Sequence, residues 1–302
     1  MRLQLPQRGV KLAINPLQFY GLQDGGVGLR LEGDYLDVLT YVHEAGFEAV
    51  TAEIQTREEE TAYRRSLQRC GLKAAPGYFS APLSDESKLE DTLQRAASFA
   101  AAHHALGLTE ACLADELHAE RVEQGPPRRT PPSTSERETI VRTITAVGEL
   151  WQELGIAACV HNHVGSYIET ADEIDDALSA TDPATVRYCP DTGHLRWAGI
   201  DPLDAVRRHR DRIDLVHLKD LREAVLAKGA MLGWGYGEFV RAGLWAEPGL
   251  GDLDLPAVMA ELKGFDGWLI IEVDQTPSAS GRDSLRLCMY WATQLVPSFT
   301  HV

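Results

Sequence analysis

Short apolar runs alternate with longer amphipathic stretches along the whole chain, and the two recur as a pair. Residues 10–14 read as a strand; residues 34–45 then place Tyr35, Leu36, Val38, Leu39 and Val42 at helical spacing before Gly46 stops them. The next pairs are a strand at 49–54 with a charged helix at 58–70 ended by Gly71, and a strand at 73–78 with a helix at 86–106. A fourth strand at 109–114 leads through the loop Gly125-Pro126-Pro127 and Pro131-Pro132 to a helix that Ser133 or Ser135 can cap, which runs to Leu154 and Gly155. Strands follow at 157–160, 186–189, 213–218 and 269–273, with helices at 171–178, 202–208 and 284–295.

Eight such steps in 302 residues predict an α/β fold of the (β/α)8 TIM-barrel type in one domain, residues 1–302, rather than an open doubly wound sheet. Glycines at 229, 233, 235, 237, 243, 249 and 251 mark a long loop at about 223–254 after strand seven, a segment expected to cover an active site. No G-x-G-x-x-G follows the first strand and no G-x-x-x-x-G-K-[ST] occurs, so dinucleotide and P-loop sites lack support.

Composition narrows the function classes. A 44% share of hydrophobic residues is enough for a sizeable core, and no apolar run reaches membrane-spanning length. The N-terminal Met-Arg-Leu-Gln-Leu-Pro-Gln-Arg lacks the apolar core of a signal peptide, so a soluble, cytoplasmic chain is expected. Five scattered cysteines without a C-x-x-C pair read as reduced thiols. A formal charge of −16 disfavours a nucleic-acid partner. The one basic run, Arg207-Arg208-His209-Arg210 with Arg212, sits near a helix end, where cations complement the dipole.

Four runs carry the candidate chemistry: His161-Asn162-His163, Asp191-Thr192-Gly193-His194, His217-Leu218-Lys219-Asp220 and Glu272-Val273-Asp274. Each falls at the C-terminal end of a predicted strand, where barrels place their catalytic groups. The strand period of two turns His161 and His163 to the same side. Imidazole and carboxylate are the usual ligands of Mn²⁺, Fe²⁺, Co²⁺ or Zn²⁺, and the absence of cysteine from these runs argues against a structural zinc site. Taken singly, a strand-end histidine is an ordinary hydrogen-bonding group and Asp-Thr-Gly a turn signal. The specificity lies in the set of four.

These residues resemble the xylose isomerase-like barrels of the sugar phosphate isomerase/epimerase superfamily over nearly the whole chain. The motifs Ile14-Asn15-Pro16-Leu17, Val160-His161-Asn162-His163-Val164-Gly165, Pro190-Asp191-Thr192-Gly193-His194, Val216 to Arg222 and Gly267 to Gln275 most resemble those of the inosose (2-keto-myo-inositol) dehydratases. Gly249-Leu250-Gly251-Asp252 is similar to the turn before the family's last helix and strand.

The resemblance implies one divalent metal ion, with Mn or Co ranked ahead of Zn, Fe or Mg, held by His161, Asp191, His217 and Glu272. Most members carry Glu where this chain has His161, and epimerases of the superfamily use that Glu as one of two bases. An imidazole engaged to a metal cannot also accept a proton, so the asymmetric site suits elimination of water from a keto-polyol better than symmetric epimerisation. Glu272 is then the catalytic residue oriented by the metal, and His163, His194 and Lys219 are the candidates for acid and base. Asn15, Glu53 and Arg222 are the candidate substrate-binding groups. Trp197, Trp234, Trp245 and Trp268 lie near the motifs or in the long loop, where an aromatic face can stack on a sugar or cyclitol ring, but packing is the default reading of each, and Trp268, inside the last strand, reads as core.

The partner expected is a small polyol or sugar, without nucleic acid or membrane, and a homo-oligomer is compatible with the family. The alternatives are a keto-sugar isomerase or epimerase and a non-catalytic sugar-binding barrel. A nuclease-type relative would need a multi-metal cluster and a basic surface, and neither is evident.

Overall fold

The computed structural model describes residues 9–22, 29–126 and 129–295. The N-terminal octapeptide and Pro127, on which two expectations above fall, lie outside them. The eight predicted strands are present as β1 (Lys11–Asn15), β2 (Ala49–Thr51), β3 (Lys73–Ala75 and Tyr78–Ala81), β4 (Glu110–Asp115), β5 (Ala157–His161), β6 (Val186–Cys189), β7 (Leu215–Leu218) and β8 (Trp268–Glu272). All their ladders are parallel and join each strand to the next in sequence, with β8 paired to β1. The β6–β7 seam is held only by the isolated bridges Tyr188–Ile213 and Asp191–His217. This is the closed TIM barrel that the alternation predicts.

The third strand extends beyond its expected range and is broken in the middle. Pro76 has no N–H to give a ladder, and Gly77 lies so close to β2 that an added Cβ would stand 2.5 Å from the Ala52 carbonyl oxygen. The first segment therefore pairs with β2 and the second with β4.

Eight helices cover the barrel: α1 (Tyr35–Glu44), α2 (Arg57–Cys70), α3 (Leu89–Ala105), α4 (Thr134–Glu153), α5 (Ala171–Ser179), α6 (Pro202–His209), α7 (Leu255–Glu261) and α8 (Gly281–Leu295). Their starts follow from local chemistry. Asp34 accepts the Leu36 N–H, and Thr56 with Glu59, Ser133 with Glu136 and Thr170 with Glu173 form capping boxes. The basic run at the end of α6 is spent on ion pairs of Arg207 with Glu261 and Arg208 with Asp175, and on carbonyls reached by Arg210 and Arg212.

The glycine-rich excursion is more ordered than a loop. It holds helices Glu223–Leu232 and Tyr236–Arg241 and a two-residue strand, Trp245–Ala246, antiparallel to Asp220–Leu221. Asp220 ties it down by accepting the N–H groups of Leu221, Gly249, Gly251 and Leu253 at 2.8, 2.9, 3.1 and 3.1 Å.

One core residue makes stability depend on pH. His103 of α3 is fully buried against Phe99, gives its Nδ1–H to the Phe99 carbonyl at 2.9 Å and has no partner for Nε2. Burial pushes its pKa down to about 4. The unfolded chain takes up this proton near pH 6.5 and the folded chain refuses it, so the contribution is whole above pH 6.5 and lost as pH falls toward 4. Denaturant unfolding of the parent and of His103→Leu should show the parent losing up to about 3 kcal/mol more across that window. Parallel curves for the two proteins would remove His103 as the cause.

Candidate active site

The strand ends bring the four sequence runs to one place. His161 closes β5, Asp191 lies just past β6 as the cap of a short helix, Thr192–Trp197, His217 lies within β7, and Glu272 closes β8. His161 Nε2 is 3.6 Å from Asp191 Oδ2, His217 Nδ1 is 3.3 Å from Glu272 Oε1, and the two imidazole rings are centred 4.8 Å apart. All four side chains are buried.

Both ring nitrogens of His161 lack a hydrogen-bond partner, and Asp191 Oδ2 and His217 Nδ1 have only ion-pair neighbours, Lys219 at 3.2 Å and Glu272 at 3.3 Å. Buried polar atoms without hydrogen bonds are costly, and here they gather beside one another. One donor atom each from His161, Asp191 and His217 fall within 4.8 Å of one another. A nitrogen and carboxylate set of this kind suits a divalent cation of the Mn²⁺ to Zn²⁺ series. Glu272 flanks the group, oriented by the Asn15 amide, which donates to Oε1 at 2.6 Å.

Beside this cluster lies the buried ammonium of Lys219. It stands 3.2 Å from Asp191 Oδ2, 3.1 Å from Glu272 Oε2 and 2.8 Å from Asp274 Oδ1. Burial alone would lower its pKa, but the carboxylates of Asp191, Asp274 and Glu272 outweigh it and hold Lys219 charged, well above its ordinary value. Burial raises the carboxyls in turn. The Lys219 charge overcomes this for Asp191, and His217 with Lys219 overcome it for Glu272, whereas Asp274 stays raised.

The two remaining histidines differ in position. His163 lines the cavity, gives Nδ1–H to the Val164 carbonyl at 2.8 Å, and so keeps Nε2 as an acceptor; burial pushes its pKa down to about 3. His194 lies behind the cavity wall with Nε2 3.2 Å from Lys219 Nζ, neutral because burial drives its pKa well down.

A cavity of about 480 Å³ opens over these groups. Asn15, Glu53, His161, His163, Lys219 and Glu272 line it as candidates from the sequence, and Asp274, Asp115, Gln55, Tyr78 and Tyr236 line it as well. Asp274 had a usable signal, because it stands two residues beyond Glu272 and so faces the same side of the strand. Tyr78 and Tyr236 had none: one follows the break in β3 and the other sits in the excursion.

One candidate is placed elsewhere. Arg222 does not line the cavity; its guanidinium donates to the carbonyls of Gly243 and Trp245 at 3.0 and 2.9 Å, fastening the excursion. The aromatic walls of the cavity are Tyr78 and Tyr236, not the tryptophans. Trp197 and Trp245 pack edge-to-face at 5.4 Å behind the wall, Trp234 packs on Phe239, and Trp268 lies under Lys11.

Residues 39–289 match the family model of the xylose isomerase-like TIM barrel. The chain belongs to that family. An inosose dehydratase of Geobacillus kaustophilus (strain HTA426) is 30% identical over 282 residues, which cover 89% of each chain. Among solved structures, the probable 3-DHS dehydratase AsbF from Bacillus anthracis superposes with a TM-score of 0.66 at 16% identity, over 94% of this chain and 98% of that one. The IOLI protein, solved with a bound zinc atom, superposes with a TM-score of 0.65 at 12% identity, over 96% and 100% of the two chains. At these identities the two structures speak for the fold of this family member. Among its described residues no helix is long and apolar enough to cross a membrane.

Proposed function

We propose that the protein is a divalent-metal-dependent dehydratase that eliminates water from a keto-polyol such as 2-keto-myo-inositol. The observation that carries this reading is the gathering of ligand atoms from His161, Asp191 and His217 within 4.8 Å of one another beside Glu272, with a charged lysine at its edge. The name shared by the Geobacillus relative supports the substrate class.

His161, Asp191, His217 and Glu272 would hold the cation, which when bound would supply Lewis-acid polarisation of a substrate ketone. The chain's own groups divide the proton traffic. Asp274, whose carboxyl burial has raised, takes the proton from the carbon beside the ketone. Lys219 enters charged and gives a proton from Nζ to the departing hydroxyl, so that C–H and C–O bonds break and water leaves. His163 Nε2 and Asn15 accept and donate hydrogen bonds to ring hydroxyls, and Glu53, itself hydrogen-bonded by the Tyr20 hydroxyl, anchors the far side. Tyr236, stacked on His163, shields the reacting face from water.

Incubating the metal-loaded protein with 2-keto-myo-inositol in deuterated water, followed by mass spectrometry, tests this. The expected result is loss of water with formation of a dione. Deuterium uptake without loss of water would overturn the reading in favour of an epimerase, and an unchanged substrate that still binds would make the barrel a sugar-binding protein.

A further inference from the structure

We propose that the run Asp191-Thr192-Gly193-His194 is a cradle for Lys219, with Thr192 as the positioning residue that sets how far the lysine reaches into the site. The inference rests on the proton-donor role of Lys219 given above. The members of the run meet three parts of the lysine. The Asp191 carboxylate and His194 Nε2 each stand 3.2 Å from the ammonium. The buried Thr192 hydroxyl meets its backbone, accepting the Lys219 N–H at 2.9 Å and donating to the Lys219 carbonyl at 2.7 Å. Gly193 meets its stem: a Cβ there would stand 2.9 Å from Lys219 Cγ and 2.8 Å from Trp245 Cζ3.

The place where this happens explains why a side chain is needed. β6 and β7 share no continuous ladder, only two isolated bridges, one of them between Asp191 and His217. Lys219 follows directly beyond the last residue of β7, where its backbone N–H and C=O are buried and have no strand to pair with. A single hydroxyl satisfies both and thereby does the work of a ladder rung. The same contact pins the Lys219 Cα at one distance from Asp191, one residue before Thr192. The four members of this short run, one of them by lacking a side chain, all meet one lysine.

The test uses Thr192→Val, which keeps the side-chain volume and removes only the hydroxyl, and Thr192→Ser, which restores it. In the metal-loaded enzyme Thr192→Val should lower kcat about 10- to 100-fold with KM nearly unchanged, and Thr192→Ser should recover most of the loss. Hydrogen exchange read on the metal-free proteins should show the Lys219 amide losing protection in Thr192→Val and keeping it in Thr192→Ser. Wild-type kcat in a folded Thr192→Val, or a serine variant as impaired as the valine one, overturns the proposal. If the parent enzyme eliminates no water, the functional reading fails on its own. In that case unchanged amide protection in Thr192→Val would still overturn the cradle, and lost protection would uphold it.

Discussion

Stripping the protein with a chelator should abolish elimination of water from 2-keto-myo-inositol, by about 10³-fold or more, and adding Mn²⁺ or Co²⁺ should restore it. Lewis-acid polarisation of a ketone is worth several kcal/mol, and each 1.36 kcal/mol is about a factor of ten in rate. The protein offers no obvious substitute at the point where His161, Asp191 and His217 converge, since the nearest cation, Lys219, is engaged by three carboxylates. Metal should also raise the melting temperature, because it binds the folded chain and satisfies donors that otherwise have no partner. His161→Ala, which removes one ligand, should weaken the metal and reproduce part of the chelator's effect. Undiminished turnover by protein shown to be metal-free by elemental analysis would sink the metal role.

The second large effect is expected from Lys219→Met, which keeps the length of the stem and removes the charge. In the metal-loaded enzyme kcat should fall about 10²- to 10⁴-fold, the usual range for loss of a general acid. Without metal the variant should also be less stable by about 3–5 kcal/mol, because Asp191, Glu272 and Asp274 are then buried together with only His217, beside Glu272, left to offset them. Metal should offset part of this, so the two forms separate the structural from the chemical role. Lys219→Arg should not rescue, since the broad guanidinium does not match the space that Asp191, Glu272, Asp274 and His194 leave for a compact ammonium and does not release a proton near neutral pH. A kcat within threefold of the parent would remove Lys219 from the reaction.

Much of the fold was legible because each strand is an apolar run with its own start and stop. β6 is read at its full length, Val186–Cys189, between the polar segment before it and Pro190 after it. The break in β3 escaped a periodicity reading, because what splits the strand is the missing N–H of Pro76 and the tight approach of Gly77. The six-residue helices Ala119–Gln124 and Thr192–Trp197 are too short for a helical period to show.

At the site, residues on one strand face were legible by their spacing of two, as with His161 and His163. Contacts made across the fold were not. Tyr20 and Glu53 meet over a separation of 33 positions with no local signal, and nothing near Arg222 announces that its guanidinium will meet carbonyls of a returning chain.

The groups around the cavity divide by position along the chain. β5 to β8 and the segments after them supply His161, His163, Lys219, Tyr236, Glu272 and Asp274, and β1 to β4 with the segments after them supply Glu53, Gln55, Tyr78, Ser80 and Asp115, with Asn15 on Glu272 and Tyr78 against His161 as links across. On the proposed reading the two halves carry different tasks: a library of changes confined to the first half, sparing Asn15 and Tyr78, is expected to alter which polyol is accepted, whereas changes at the second-half groups are expected to lower turnover for every substrate alike.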